Sequence, residues 1–333
     1  MKLTFSLVFL HILMISLWAS AFPVMQIGME SLSPQHLAFV RLSIASLVLL
    51  VIAIATRMRL PDIKDIPLLL ALGFLGFTVY HTALNIGEKT VSAGIASLLV
   101  STTPIFSSLL AIFLFQEEFG KRKWIGSAVS FAGIALLTFS KENFVHSVNG
   151  ILLILLAALA ESIYIVCQKN LLKKYGFLSF VTYSIWGATI SMLVFLPGLE
   201  TELAHISVRS AISVTYLGLF PTVIPYMVLA YLTSRIGSVE AAISLYLTPA
   251  LSFFLAWLLL KDIPSAASIV GSIITLCGVL LTHRKRKVVV KETRQSSQCK
   301  DNVYALRNSL RGYVFYLYIL FRTYFNFFFL QFN

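Results

Sequence analysis

The chain has 333 residues, of which 58% are hydrophobic and 12% are charged, and its formal net charge is +12. Because a soluble domain carries about 25% charged residues, this composition excludes an ordinary soluble protein and indicates an integral membrane protein. A nucleic-acid-binding protein would need its basic residues clustered on a soluble surface, and so apolar a chain argues against that class.

Ten apolar segments follow one another along the chain, each long enough, at about 20 residues, to cross roughly 30 Å of hydrocarbon. Because these runs are continuously apolar, they predict membrane helices rather than the strands of a barrel. Numbered in chain order, the segments span residues 5–27, 34–56, 66–86, 91–114, 122–140, 150–169, 178–197, 211–233, 238–260 and 265–283.

Segment 1 imitates a signal peptide, because Lys2, an apolar stretch and the small residues Ala19 to Ala21 follow one another. The stretch is long, however, and adding 142 to three of its residue numbers reaches the same residue types in segment 6. The pairs are Ser20 with Ser162, Val24 with Val166 and Gln26 with Gln168. A cleaved peptide would have no such counterpart, so segment 1 is predicted to be a retained membrane helix.

A second constant offset, 145, relates segments 4 and 5 to segments 9 and 10. It takes Thr103-Pro104 to Thr248-Pro249, Ser107 to Ser252, Ala111 to Ala256, Gly126-Ser127 to Gly271-Ser272 and Gly133 to Gly278. This recurrence indicates the duplication of a unit of membrane helices. Because five crossings per unit is an odd number, the second unit enters the membrane from the opposite side.

The predicted fold is therefore an all-α membrane protein with ten transmembrane helices arranged as two inverted five-helix repeats. The first repeat spans residues 1–141 and the second 142–285, and a basic, then aromatic-rich tail occupies 286–333. An eleventh crossing in the tail would place Arg322 in lipid, which is costly. An interfacial segment or an appendage is the favoured interpretation of the tail.

The loops differ in charge from one side of the predicted membrane to the other. With a cytoplasmic N-terminus, the inner loops hold eleven basic residues: Lys2, Arg57, Arg59, Lys64, Lys121, Arg122, Lys123, Lys169, Lys173, Lys174 and Arg235. The outer loops hold four, Lys89, Lys141, Arg209 and Lys261. The positive-inside rule then predicts a multi-pass protein of the cell membrane with both termini in the cytoplasm.

Several short motifs resemble one known family of transporters. They are Leu17-Trp18-Ala19-Ser20-Ala21-Phe22, Phe39-Val40-Arg41, the two Thr-Pro pairs with the acidic residues Glu117 and Asp262 after them, and the paired glycines of segments 5 and 10. Their order is similar to that of the EamA-type branch of the drug/metabolite transporter superfamily, over residues 5 to about 285. The resemblance implies a substrate cavity between helices 1–4 and 6–9, and efflux of amino acids, metabolites or toxic compounds.

Polar and aromatic residues inside the segments are candidates for the substrate site, since a polar group in hydrocarbon is costly unless it faces the bundle interior. Segment 3 places Thr78, His81, Asn85 and Glu88 on one helical face. Serines such as Ser97 and Ser108 have helix packing as their alternative role, and the glycine pairs seven residues apart in segments 5 and 10 are predicted to pack against neighbouring helices. The predicted substrate-binding residues are Trp18, Tyr80, His81, Asn85, Ser101, Glu161, Tyr164, Trp186, Tyr226 and Tyr246.

Three ionisable residues are candidates for coupling or charge recognition. Glu161 lies near the middle of segment 6, where a carboxyl group can carry a proton, receive a cation, or be a hydrogen-bonded structural group. Arg41 lies about 10 Å deep in segment 2 and either snorkels to the outer headgroups or offers its charge to an anion. His81 is either a proton relay or a structural histidine.

Two prolines, Pro104 and Pro249, lie at equivalent mid-membrane positions of segments 4 and 9. Each removes a backbone hydrogen bond, so they are predicted to kink the helices and to act as hinges. In segment 8, Pro221 and Pro225 predict a further break.

The sequence favours a secondary transporter that exports small metabolites, amino acids or drugs by alternating access. An importer or uniporter, or a channel, is the alternative. An enzyme is not expected, because no phosphate-binding glycine loop is visible and the six histidines are scattered without metal-ligand spacing. Neither a cofactor, a metal nor a disulfide is predicted. The expected partners are a small-molecule substrate and the lipid bilayer; coupling to protons and a homodimer are left open.

Overall fold

The computed structural model describes residues 2–115, 121–139, 144–236, 247–263 and 265–283. Every regular element within these ranges is a helix, which confirms the predicted all-α class for the described part of the chain. The predicted tail lies outside the described residues, and so does Tyr246.

Seven α-helices are described in the first half of the chain. They are α1 (Lys2–Gly28), α2 (Pro34–Ala55), α3 (Ile66–Gly73), α4 (Tyr80–Glu88), α5 (Ala93–Val100), α6 (Thr103–Phe115) and α7 (Lys121–Phe139). A π-helix, Phe74–Val79, joins α3 to α4 without a turn, so the two form one long helical path. The backbone of Gly76 in this π-helix lies so close to the ring of Tyr164 that a Cβ atom would be 2.6 Å from it.

Seven α-helices are also described in the second half. They are α8 (Phe144–Cys167), α9 (Lys169–Ser191), α10 (Leu199–Ala204), α11 (Val208–Leu219), α12 (Ile224–Ile236), α13 (Thr248–Leu260) and α14 (Ala266–His283). A short 3-10 helix, Met192–Phe195, extends α9.

By length and composition, six helical stretches of the described residues can cross a membrane. They are Phe9–Gly28, Pro34–Ala55, Ile63–Glu88, Val148–Cys167, Asn170–Phe195 and Val208–Leu232. Four shorter apolar helices accompany them: Ala93–Ser107, Trp124–Leu136, Thr248–Leu260 and Ile269–Leu281. The chain is thus a multi-pass membrane protein.

Helix α2 shows how these helices divide their surface between protein and lipid. Leu47, Val51 and Ile54 lie on one face and are 64%, 67% and 70% exposed, whereas Leu42 and Leu49 on another face are fully buried. In water so large an apolar face would be unfavourable. In a bilayer it contacts lipid, while the buried face packs against the neighbouring helices.

Helices α7 and α14 pack closely because glycines face the contact from both sides. A Cβ atom on Gly133 would lie 2.4 Å from Thr275 Oγ1, and one on Gly278 would lie 2.3 Å from the backbone nitrogen of Ser130. Ser130 Oγ donates to the Thr275 carbonyl over 2.9 Å, and Thr275 Oγ1 donates back to the Ser130 carbonyl over 3.4 Å. The packing role predicted for these glycines is confirmed.

The N-terminus of α2 is fastened to α10 through Glu202. The Ser33 N–H donates to Glu202 Oε2 over 2.8 Å, and His36 Nδ1 lies 2.8 Å from the same oxygen. Partial burial raises the pKa of Glu202, but the hydrogen bonds from Ser33 and His36 outweigh it and leave the pKa below its ordinary value. The carboxyl group is therefore ionised at neutral pH and ties the two halves of the chain together.

The opposite end of α2 is also fastened to the second half of the chain. Lys174 of α9 pairs with both Asp62 and Asp65, which follow α2. Tyr183 donates its hydroxyl hydrogen to the carbonyl of Arg59. Contacts between the halves therefore exist at both ends of α2.

Candidate functional site

A small cavity lies inside the bundle between the two halves of the chain. The centres of water-sized molecules can occupy about 60 Å³ of it, and the space that whole atoms fill is larger than this. Four aromatic side chains form much of its wall: Trp18, Phe22, Tyr80 and Tyr226. The polar groups at the wall come from both halves, and they are Arg41, Ser97, Ser101, Thr103, Glu161 and Thr248.

The structure brings half of the predicted substrate-binding residues together at this cavity. They are Trp18, Tyr80, Ser101, Glu161 and Tyr226. The rings of Trp18 and Tyr226 meet edge to face with centroids 5.3 Å apart, a favourable geometry that fixes both rings in the wall. Arg41 and Pro104, predicted as a charge site and a hinge, line the same cavity.

Four of the other predicted residues are placed away from the cavity wall. His81 stacks on Phe77 with centroids 6.0 Å apart, and its Nδ1 lies 2.9 Å from the Phe77 carbonyl oxygen. Asn85 Nδ2 donates to the Pro34 carbonyl over 3.0 Å. One nitrogen of each side chain therefore lies against a backbone carbonyl.

Tyr164 and Trp186 likewise belong to packed layers between helices. The Tyr164 ring meets Phe77 and Phe180 with centroids 5.3 and 5.5 Å apart. Trp186 Nε1 donates to the Ser46 carbonyl over 3.2 Å and so joins α9 to α2. Their large rings fill the bundle interior without reaching the cavity.

Glu161 is 7% exposed and holds the start of α6. Thr103 Oγ1 donates to Glu161 Oε2 over 3.1 Å. The next residue, Ser162, donates its hydroxyl hydrogen to the Thr103 carbonyl over 2.8 Å. Glu161 of α8 therefore accepts a hydrogen bond at the N-terminus of α6. The positive end of a helix dipole stabilises a carboxylate at this position.

Arg41 is 3% exposed and points into the bundle. Its Nε donates to Thr222 Oγ1 over 2.6 Å, and Nη1 donates to the sulfur of Met25 over 3.2 Å. The guanidinium therefore does not snorkel to the headgroups; that it offers its charge to an anion stays a prediction. Arg41 and Glu161 line the same cavity, so the two opposite charges belong to one site.

Segment 4, predicted as one kinked helix, is two helices. Helix α5 ends at Val100, residues 101–102 form a turn, and α6 begins at Thr103 with Pro104 in its first turn. A proline is favourable at this position because the first N–H groups of a helix have no intrahelical acceptor. In the second half, α13 begins at the equivalent Thr248 with Pro249 in its first turn.

The break predicted in segment 8 is confirmed. Residues 220–223 form a turn between α11 and α12, and this turn contains Pro221. Thr222 in the turn donates its hydroxyl hydrogen to the Leu217 carbonyl over 2.8 Å and accepts from Arg41. The broken helix thus positions the cation of the cavity.

Thr248 and Thr222 were not among the residues selected from sequence. The signal for Thr248 was present in the Thr-Pro repeat, because Thr248 is the residue of the second half that is equivalent to the cavity residue Thr103. For Thr222 the only signal was its neighbour Pro221, since a threonine after a helix-breaking proline lies where the backbone changes direction.

Comparison with known proteins gives two matches to the EamA-like transporter family, at residues 5–139 and 148–284. The uncharacterized transporter YdfC of Bacillus subtilis (strain 168) is 54% identical over 284 residues, covering 85% of this chain and 93% of that protein. The probable terminal-alkyne amino-acid exporter of Streptantibioticus cattleyicolor is 32% identical over 274 residues, covering 82% and 92%.

A crystal structure among the matching solved structures shares the fold. It superposes with a TM-score of 0.59 and 19% sequence identity, covering 83% of this chain and 96% of that chain. At this identity the likeness concerns the fold alone.

Proposed function

Because this chain belongs to the EamA-like transporter family, and is therefore a membrane transporter, we propose that it exports small amino-acid-like metabolites from the cell by alternating access. The observation that carries the proposal is the cavity between the two halves, in which an aromatic wall lies between a buried cation, Arg41, and a buried carboxyl group, Glu161.

We propose ten transmembrane helices in two inverted repeats, 1–141 and 142–285, with both termini in the cytoplasm. The family matches twice, and each of the ten predicted segments overlaps one of the ten apolar helical stretches. The reciprocal contacts between α7 and α14 support the same symmetry, because Ser130 and Thr275 differ by the repeat offset of 145 and bond to each other. The eleven-to-four distribution of basic loop residues supports the orientation.

Alternating access is supported by the breaks in the helices around the cavity. Where a helix is interrupted beside a cavity, the segment on one side of the interruption can move while the segment on the other side stays helical and in place. Pro104 lies in the first turn after such an interruption, which separates α5 from α6, and the equivalent Pro249 lies in the first turn of α13. These two prolines are the proposed hinges. The contacts of Glu202 and of Lys174 close the bundle at the two ends of α2, and each would open in one of the two access states.

The charges of the cavity support a cargo of the amino-acid class. A related protein is named as a probable terminal-alkyne amino-acid exporter, and a terminal alkyne is a small apolar group. The aromatic wall of Trp18, Tyr80 and Tyr226 suits such a side chain. Glu161 suits the ammonium group, and it is also the acidic residue through which protons would be exchanged for cargo.

Counterflow in proteoliposomes tests the proposal. Vesicles that contain the purified chain and a high internal concentration of an unlabelled apolar amino acid should take up the labelled compound transiently above equilibrium, because a carrier exchanges one molecule for another. Uptake should saturate with external concentration. A channel would show neither the overshoot nor saturation. If no amino acid in a panel of labelled apolar amino acids shows an overshoot, or if none shows saturation, the proposal is contradicted.

A further inference from the structure

The two halves of the cavity differ at one pair of equivalent residues. Thr103 and Thr248 are related by the repeat offset of 145, each is the first residue of its helix, and both line the cavity. Their surroundings are not equivalent. Thr103 donates its hydroxyl hydrogen to Glu161, so the N-terminus of α6 has a carboxylate of the protein itself beside it.

The second half of the chain has no such carboxylate at the matching place. The offset of 142 that pairs Ser20 with Ser162 pairs Ala19 with Glu161. Alanine has no acceptor to offer to Thr248. The carboxyl group at the start of α6 therefore corresponds, by the repeat offset, to the methyl group of Ala19.

Thr248 is left with a buried hydroxyl group that needs a partner. The residue is 7% exposed, and Thr248 Oγ1 has no hydrogen-bond partner among the residues that the structure describes. Buried side-chain hydroxyls almost always have a partner, and leaving one without is costly. Because Thr248 lines the cavity, a molecule bound there can supply the missing acceptor.

The charge around Thr248 favours an anionic partner. Helix α13 has 13 residues, and the positive end of its dipole lies at Thr248. Arg41, which is buried and lines the same cavity, adds a full positive charge. Arg41 Nε is engaged by Thr222 and Nη1 by Met25, which leaves guanidinium N–H groups able to form charge-assisted bonds to an anion.

We propose that the cargo carries a carboxylate and that this group binds between Thr248 and Arg41, in the place at α13 that Glu161 occupies at α6. The inference rests on the proposed function, since it concerns the same cavity. It adds the specificity: the carboxylate lies at Thr248 and Arg41, the ammonium group at Glu161, and the side chain on the aromatic wall. With the cargo bound, each of the equivalent helices α6 and α13 would have a carboxylate at its N-terminus.

Binding of three ligands of one carbon skeleton tests this assignment. The ligands are L-leucine, isoamylamine, which lacks the carboxylate, and 4-methylpentanoate, which lacks the ammonium group. Binding to the full chain in detergent is measured by calorimetry. The chain should bind L-leucine at least about tenfold more tightly than isoamylamine, because a hydrogen bond to a charged group is lost with the carboxylate.

The decisive variants are Thr248→Val, which has the same shape without the hydroxyl, and Arg41→Gln. Each should weaken L-leucine and 4-methylpentanoate by about tenfold and leave isoamylamine unchanged. Thr215→Val is the matched control, because Thr215 is exposed on α11 and should change nothing. A melting temperature equal to that of the parent chain shows that each variant is folded, and Thr248→Val alone suffices if Arg41→Gln fails this check.

The assignment is overturned if Thr248→Val binds L-leucine as well as the parent chain does, or if it weakens L-leucine and isoamylamine equally. Inorganic phosphate as a competitor distinguishes a general anion site: phosphate that displaces L-leucine would overturn the assignment to a carboxylate. If only the transport proposal is wrong, the chain should still bind L-leucine more tightly than isoamylamine, but no amino acid should show counterflow.

Discussion

Replacing Gly133 by leucine should strongly destabilise the bundle. Even a Cβ atom at this position would lie 2.4 Å from Thr275 Oγ1 and 2.6 Å from the Thr275 nitrogen. Because the second of these atoms is backbone, α7 and α14 would have to separate and break the Ser130–Thr275 hydrogen bonds. Overpacking costs about 1–3 kcal/mol where side chains can adjust, and backbone contacts cost more.

Thermal unfolding of the purified chain in detergent measures this effect. Gly133→Leu should lower the melting temperature by about 5 °C or more. The symmetry-related Gly278→Leu should do the same, because its Cβ atom would meet the Ser130 nitrogen. Ala132→Leu is the matched control, since Ala132 is the neighbouring residue on α7 and is exposed. Equal melting temperatures for Gly133→Leu and Ala132→Leu would show that the contact does not hold the helices together.

Replacing Glu161 by glutamine should abolish transport that is driven by a pH gradient. Glutamine keeps the size of the side chain and can still accept from Thr103, but it cannot exchange a proton. It also removes the charge proposed for the ammonium group of the cargo. We therefore expect Glu161→Gln to lose gradient-driven accumulation and to bind cargo about tenfold more weakly, while exchange at saturating cargo continues.

Proteoliposomes with an imposed pH gradient separate these effects from misfolding. Glu200→Gln is the control, because Glu200 is exposed outside the cavity and should transport as the parent chain does. If Glu161→Gln accumulates cargo normally, Glu161 is a structural carboxyl group. Glu88 would then be the next candidate for coupling, since it is 3% exposed and its carboxylate oxygens have no hydrogen-bond partner among the described residues.

The membrane helices and the cavity's charged groups could be predicted because their signals can be read directly along the sequence. A continuous apolar run of about 20 residues is typical of a membrane-spanning helix, and Glu161 and Arg41 are costly in lipid wherever they point. The glycine pairs were equally clear, since a repeated spacing of seven residues places both glycines near one face of a helix.

The register of polar and aromatic residues toward the cavity could not be predicted in the same way. Asn85 and Trp186 satisfy their N–H groups on the carbonyls of Pro34 and Ser46. A polar group held by a neighbouring helix has the same helical spacing as one that lines a cavity, so sequence cannot separate the two. The π-helix before α4 adds to the difficulty, because it shifts the faces that an α-helical spacing assigns.

Thr248 shows what a duplication can reveal. Its importance follows from a difference between the repeats, the exchange of Glu161 for Ala19, and not from a residue that is unusual in itself. A threonine beside a proline is ordinary in a membrane helix. Only its burial beside the cavity, without an acceptor among the described residues, makes it distinctive.

We propose that the cavity between the two halves opens in turn to each side of the membrane. Ala21→Cys, in a chain whose three native cysteines are replaced by serine, places a thiol in the cavity wall. A membrane-impermeant thiol reagent should modify this thiol from the outer side in whole cells and from the cytoplasmic side in inverted vesicles. L-leucine should change the rate of modification in both preparations. Modification from one side only, under every condition, would contradict alternating access.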